Sequence, residues 1–215
     1  MGTNARKHTV PLAGDQPRRQ TFDDLSMSIN DVIPVANATE RAQLVADLGT
    51  YEGLTIYRQD MFWNETWLNG AWAVTGGRLP YISLGRSTPG APSNGVDATL
   101  AGWTSVTAWQ CSEAAGTVTV PVTGRYQLTA GGAWAANASG FRRVQITKNG
   151  TSFILATDGR PSVGAIDLGQ SASRTVTLVA GESVLMRIYQ TSGGTLDFGT
   201  TSCRPFFEVQ YLEPA

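Results

Sequence analysis

The sequence predicts a mainly β protein: a C-terminal jelly-roll sandwich preceded by an extended N-terminal arm, two short helices and a small β-hairpin unit. Three observations predict it. Only 15% of the 215 residues are charged, against roughly 25% in an ordinary soluble domain, and the difference is made up by 24 Gly, 25 Thr and 15 Ser. A chain poor in Lys and Glu and rich in Thr, Val and Gly leans towards strands and tight turns and away from helical bundles and coiled coils. From Trp103 onward, short apolar-alternating segments recur with turn signals at intervals of roughly eight to twelve residues, the pattern of a sandwich or barrel. Charge is also segregated along the chain: residues 1–20 carry a net +3, residues 21–100 a net −5, and residues 101–215 eight bases against seven acids.

Each segment has its own grounds. Residues 1–20 hold Arg6, Lys7, Arg18 and Arg19 among Pro11, Gly14 and Pro17 with no periodicity, and are expected to be an extended basic arm, either a solvated tail or an anchor that threads into an acidic surface of a larger particle. The segment has no apolar stretch behind its basic residues, so no secretory signal is expected. Residues 21–50 are expected to form two helices. In the first, Thr21 caps, Asp23 and Asp24 occupy the first turn, and Phe22, Leu25, Ile29 and Val32 form one stripe that Pro34 ends. In the second, Asn37 caps, Glu40 completes a capping box and Gly49 stops the helix. Helices this short are marginal alone and must pack on something.

Residues 51–76 change to strand period. Asn69-Gly70 is the dipeptide suited to a type I′ turn, which sets Leu68 opposite Ala71 and Trp67 opposite Trp72. Trp63, Trp67 and Trp72 then share one face, either as packing against the helices or as an aromatic platform for a ligand. Residues 77–102 are rich in Gly, Pro and Ser and are expected to be a linker with one short strand at 81–84. Residues 103–215 are the head domain. Its strands are expected at 104–110, 117–120, 125–134, 142–148, 152–157, 174–179, 183–190 and 205–212, and eight strands is the number of a jelly roll. A two-residue turn at Asn149-Gly150 would pair Ile146 with Phe153 and Val144 with Leu155. On the 183–190 strand, Val184, Met186 and Ile188 share one face and Arg187 and Tyr189 the other.

Several of these stretches resemble known families. Gly124-Arg125-Tyr126-Gln127-Leu128, the turn Ala180-Gly181-Glu182 and the closing strand Phe206-Phe207-Glu208-Val209-Gln210-Tyr211-Leu212 resemble the trimeric jelly-roll superfamily of complement heads and tumour necrosis factor. That resemblance implies a homotrimer; the superfamily's calcium-binding positions are not recognisable here. The front half, a basic arm followed by DDLSMSINDVIPVANATERAQLVADL and then IYRQD and WLNGAW, is similar to minor tail and fibre proteins of tailed bacteriophages infecting actinobacteria. It implies other phage structural proteins as partners, a virion location after assembly in the host cytoplasm, and attachment to a host-surface glycan or protein.

Catalytic signatures are scarce. His8 is the only histidine and lies in the basic arm, a poor place for a base that must be held beside a nucleophile. Two cysteines cannot make a four-thiolate zinc site, and no Gly-rich phosphate cradle stands at a strand–helix junction. Asp158, Asp167 and Asp197 fall beside loop glycines and are read as turn formers, with a carboxylate pair for glycoside hydrolysis and loop calcium binding as the minority alternatives. The chain is therefore expected to be non-enzymatic, with no cofactor and no metal. Its net charge of −1 recruits neither nucleic acid nor anionic membrane, and no apolar run approaches a bilayer span. Cys111 and Cys203, which end the first strand and precede the last, are either a candidate disulfide or two buried thiols. Sequons at Asn37, Asn64, Asn137 and Asn149 are expected from chance among so many Ser and Thr. Receptor contacts are expected in the loops, at Asn137, Asp158, Arg160 and Asp197. Two alternatives stay open: a capsid decoration or head-fibre protein, and a carbohydrate-binding module.

Overall fold

The computed structural model describes residues 2–3, 9–10, 32–150, 153–162, 164 and 166–215. Contacts divide the chain into two units, Met1–Arg78 and Leu79–Ala215. The basic arm residues Arg6, Lys7, Arg18 and Arg19, and the stripe Phe22, Leu25 and Ile29 of the first expected helix, lie outside the described residues.

In the first unit, β1 (Gly2–Thr3) and β2 (Thr9–Val10) form a short antiparallel pair. A four-stranded sheet follows, built from β3 (Ile33–Val35), β4 (Thr55–Arg58), β5 (Trp63–Leu68) and β6 (Ala71–Gly77) in that spatial order. Helix α1 (Ala38–Leu48) crosses between β3 and β4, which run parallel. Its ends are set locally. Asn37 Oδ1 accepts from the backbone N–H groups of Thr39 (2.9 Å) and Glu40 (3.1 Å), the Glu40 carboxylate reaches back to the Ala36 N–H, and Gly49 at φ 75° bonds to the Val45 carbonyl.

The β5–β6 hairpin has the expected turn: Asn69 (φ 50°) and Gly70 (φ 81°) set Trp67 opposite Trp72 and Leu68 opposite Ala71. Val35, Leu54, Ile56, Trp63 and Val74 make the core of this unit. One expectation fails at the sheet's edge. Ile33 and Pro34 belong to β3, where Pro34 stands opposite Tyr57, so Pro34 does not stop a helix running through Val32 and Ile33. An edge strand tolerates the proline because its missing N–H can face away from the ladder.

The second unit is a two-sheet sandwich. Its strands are β7 (Tyr81–Gly85), β8 (Ala98–Thr99), β9 (Ser105–Trp109), β10 (Ser112–Ala114), β11 (Thr117–Thr119), β12 (Gly124–Trp134), β13 (Phe141–Lys148), β14 (Phe153–Pro161), β15 (Leu168–Leu178), β16 (Ser183–Gln190) and β17 (Phe206–Glu213). One sheet has the order β15-β12-β17-β7-β9 and the other β10-β11-β16-β13-β14, with β8 alongside β16. Every pairing in both sheets is antiparallel. From β11 on, the chain passes from sheet to sheet at each connection except the β13–β14 hairpin, which is the jelly-roll pattern.

The alternation read from the sequence explains the core. Tyr126, Leu128 and Ala130 of β12 and Phe207, Val209 and Tyr211 of β17 face Val144 and Ile146 of β13 and Val184, Met186 and Ile188 of β16, all 1% exposed or less. Three glycines of β12 leave slots for rings: a Cβ at Gly124 would collide with Tyr211, one at Gly131 would lie 2.8 Å from Phe206, and one at Gly132 2.6 Å from Phe198.

Three details differ from expectation. Residues 81–85 are not a strand within a linker: β7 pairs with β17 and β9 in the middle of a sheet, so the sandwich starts at the beginning of the second unit. A stretch of only five residues inside a Gly- and Pro-rich context gave too little periodicity to show this. Asn149-Gly150 does not close a two-residue hairpin. Lys148 stands opposite Phe153 and, after an irregularity, Ile146 opposite Ala156 and Val144 opposite Asp158. Asn149 is instead bound to the β15–β16 turn, through its N–H to Ser183 O and its Oδ1 from Ser183 N (2.8 and 2.9 Å). Phe153 is consequently 60% exposed.

The strands 152–157 and 174–179 are longer than read, as β14 and β15. Of the two states open to the cysteines, Cys111 and Cys203 are both free. With β7 between them, β9 and β17 run in the same direction, so the end of one and the start of the other lie at opposite ends of the sheet.

Candidate functional site

The loops at one end of the sandwich form the candidate site. Strand β12 ends and β15 begins at this end, where Trp134 pairs with Leu168; β13 begins opposite the end of β14, Phe141 with Pro161, and beside the end of β16, Arg142 with Gln190. The segments 135–140 and 191–205 therefore converge here. They are laced by main-chain bonds. Ala135 N donates to Asp197 O (2.9 Å), Ser162 N to Gly140 O (2.8 Å), Thr191 N to Phe141 O (3.0 Å), and Gly90 and Phe198 exchange a pair of bonds (2.7 and 2.6 Å). Gly140, at φ 80°, is pressed so closely on the Thr191 carbonyl that no Cβ fits. The loop backbones are consequently held, while side chains between the bonds remain available to a partner.

The four expected receptor residues are placed differently. Asn137 and Asp197 are loop residues at this end. Asn137 is half-buried and accepts from Ser139 N (2.8 Å), closing an Asx turn, and Asp197 is exposed and enters the lacing only through its backbone. Asp158 and Arg160 are not in a loop, because β14 runs on to Pro161. Asp158 pairs with Arg160 Nε (2.9 Å) and accepts from Ser171 N (3.3 Å). Alternation had become unreadable there through the small and charged residues Asp158, Gly159 and Arg160.

Beneath the loops lies a layer of buried polar groups that the sequence did not single out: Arg142, Gln170 and Gln190, 1%, 4% and 0% exposed. Trp134 Nε1 donates to Gln170 Oε1 (2.7 Å), and Trp134 packs on Phe198 with ring centres 4.9 Å apart. The signal for this layer was polar residues at inward positions of otherwise apolar strands, Arg142 before Val144 and Ile146, and Gln190 after Met186 and Ile188.

The aromatic face of the first unit has a different character. Trp63 is buried and donates to Glu65 Oε1 (3.0 Å). Trp67 and Trp72 are half-buried and meet edge to face at 5.5 Å, with the Arg41 guanidinium 5.7 Å from the Trp72 ring centre. Glu65 is the hub: besides Trp63 it accepts from Arg58 Nη1 (3.2 Å) and Arg41 Nη1 (2.6 Å), and Arg58 also forks onto Asp60 at 2.8 Å. Hydrogen bonds from Arg58 hold the Asp60 carboxyl below its ordinary range, and the same bonds, aided by the charge of Glu65, keep Arg58 more firmly protonated. Glu65 thus ties sheet to helix through Arg41, Trp63 holds Glu65 from within the sheet, and Trp67 and Trp72 stay half-buried.

Among the described residues no group of three or more His, Cys, Asp or Glu is placed to hold a metal ion, and no helix is long and apolar enough to cross a membrane.

No family model and no curated protein matches the chain. Among solved structures it is similar to Eiger TNF from S. frugiperda, at 17% identity over 64% of this chain and 96% of that one, with a TM-score of 0.49. It is also similar to murine APRIL at pH 5.0, at 12% identity over 63% of this chain and all of that one, with a TM-score of 0.45.

Proposed function

We propose that the chain is a non-enzymatic structural protein of a tailed-phage virion. Its N-terminal unit attaches to the tail, and its jelly roll forms a homotrimeric head that binds a host-surface glycan or protein. The observation that carries this is the division into two units of unlike finish. The jelly roll has a dense core and loops laced at one end, whereas α1 of the first unit buries none of its residues and leaves Leu48 54% exposed. A helix with an unfilled apolar side suits a module that completes its packing on a larger particle. The net +3 of residues 1–20 suits docking on an acidic surface, and the resemblance of the front half to phage tail proteins supplies the particle.

Trimerisation is supported by the superfamily resemblance and by apolar side chains left on the jelly roll, including Phe153, Ile154, Ile166 and Leu212 at 60%, 49%, 65% and 42% exposure. Association in a closed ring buries such groups.

Light scattering of the purified chain tests the assembly: three times the chain mass is expected, and a monomer at micromolar concentration would overturn it. Electron microscopy of particles labelled through this chain tests the location. Labels on the tail are expected, and labels confined to the shell would make it a capsid decoration protein. Release of reducing ends from a host polysaccharide would contradict the non-enzymatic role.

A further inference from the structure

The buried polar layer at the loop end is complete except at one atom. Gln170 accepts from Trp134 and donates to the main-chain oxygens of Arg142 (3.2 Å) and Asp158 (3.3 Å). Gln190 donates to Pro92 O (3.0 Å) and Gly194 O (2.7 Å) and accepts from Ser192 N (2.6 Å). Arg142, between them, is served differently. Its Nη1 donates to Phe141 O at 3.0 Å, its Nη2 is buried with no acceptor, and among the described residues no carboxylate pairs with it. A guanidinium cannot shed its proton at ordinary pH and offers five N–H donors, so burial without a counter-charge is costly. Burial pulls the Arg142 pKa down, the direction expected of a cation short of partners.

The pairing register adds an independent observation. Arg142 stands directly opposite Arg160, and Val144 opposite Asp158, so both arginines and the aspartate lie on the same side of the β13–β14 ladder. Like charges set directly across a ladder repel. Asp158 is the one acidic residue on that side of these two strands, and it is already committed to Arg160 and to Ser171 N. Two guanidiniums against one carboxylate leave an excess of one positive charge beside a buried, unmet donor.

We propose that Arg142 and Arg160 together hold a small monovalent anion of chloride size at the loop end of the sandwich. Arg142 supplies Nη2 from within, and Arg160, whose side chain is 55% exposed, closes over the ion from the solvent side. The ion supplies the acceptor that the polypeptide provides for Gln170, Gln190 and Arg142 Nη1 but not for Arg142 Nη2. The site is independent of the virion role and stands or falls without it.

The test uses the full chain. Its thermal midpoint is followed as sodium chloride is raised, beside the R142Q and R160Q variants, and crystals of the unaltered chain are soaked in bromide for anomalous diffraction. The unaltered chain is expected to gain several degrees, since a hundredfold excess over the dissociation constant is worth about 2.7 kcal/mol. R142Q is expected to lose that gain and R160Q to keep a reduced part of it, with bromide within hydrogen-bond distance of Arg142 Nη2. An identical salt response in R142Q, or a map without bromide at Nη2, overturns the site. Bromide present in the crystal with no chloride dependence in solution means binding at crystal concentration only and also overturns it. If R142Q does not fold, the bromide map and the chloride response of the unaltered chain and R160Q decide.

Discussion

Replacing Glu65 by Gln removes the one charge on which the first unit's two buried-side arginines converge, and its cost can be worked from the contacts. One carboxylate oxygen takes Arg58 Nη1 and Trp63 Nε1, at 3.2 and 3.0 Å, and the other takes Arg41 Nη1 at 2.6 Å. An amide of the same shape keeps an oxygen for only one of these sides. If that oxygen stays with Arg58 and Trp63, the NH2 group meets Arg41 donor to donor. Arg41, whose side chain is 26% exposed, can swing away to water, whereas Arg58, at 8%, cannot. Arg58 retains Asp60, which limits the loss. Breaking a buried ion pair costs roughly 3–5 kcal/mol, and the surviving Asp60 pair places this case at the lower end, about 3 kcal/mol. Hydrogen exchange resolved to peptides is the suitable assay because it reads local opening. Amides of β4, β5 and β6 should exchange on the order of a hundredfold faster in E65Q, with β12 and β17 unchanged. An acceleration below roughly threefold in β4–β6, or an equal acceleration in β12 and β17, would refute the idea that Glu65 is the hub of the first unit.

Three further outcomes are expected. Gly140→Ala combines a left-handed backbone with a Cβ driven into the Thr191 carbonyl. It should cost about 3 kcal/mol and lower the midpoint of the second unit by roughly 10 °C in calorimetry; an unchanged midpoint would mean the 135–140 and 191–198 loops are not held together there. The Glu182 carboxyl is held below its ordinary value of 4.5 by the Lys148 hydrogen bond first and by the Val179 N–H next. Because its folded pKa lies below the unfolded one, its contribution is full above about pH 4.5 and is lost as pH falls through the folded value. Lys148→Met should flatten that part of the acid-unfolding profile, and an unaltered profile would contradict the pairing. Burial pushes the Cys111 thiol up to about 12, so a thiol reagent at pH 8 should label Cys203 alone in the native chain and both cysteines in denaturant; labelling of Cys111 without unfolding would show that its strand corner opens.

What the sequence made legible was what local chemistry decides. Asn69-Gly70 accepts two positive φ angles, so its hairpin register followed at once, and Asn37, Glu40 and Gly49 marked the ends of α1 because capping acts within four residues. On β16 the alternation of Val184, Met186 and Ile188 against Arg187 and Tyr189 was legible for the same reason. Long-range partners decided the failures. Asn149-Gly150 has the composition of a tight hairpin, but Asn149 bonds Ser183, 34 residues away, and the loop is longer. β7 is short and framed by Gly and Pro, and only its two neighbours make it a strand. Cys111 and Cys203 would meet only if the strands that flank them were adjacent, and β7 lies between those strands. Of the candidate site, Asn137 and Asp197 were legible as loop residues. The polar layer was not, since a single Arg or Gln at an inward position looks like any surface residue until the opposing sheet is in place.

The ring-filled slots along β12 carry a consequence for how this sequence can vary. Where Gly131 meets Phe206 and Gly132 meets Phe198, the volume of an absent side chain on one strand is occupied by an aromatic from a segment more than sixty residues later. Neither member of such a pair can change alone: enlarging the glycine evicts the ring, and shrinking the ring opens a void beside a backbone with nothing to fill it. Size must therefore be exchanged across the pair, so the first half of the jelly roll cannot drift in sequence without its last strand and the loop before it drifting in step. Recombining the two halves from different relatives would break that matching even where the junction itself is silent.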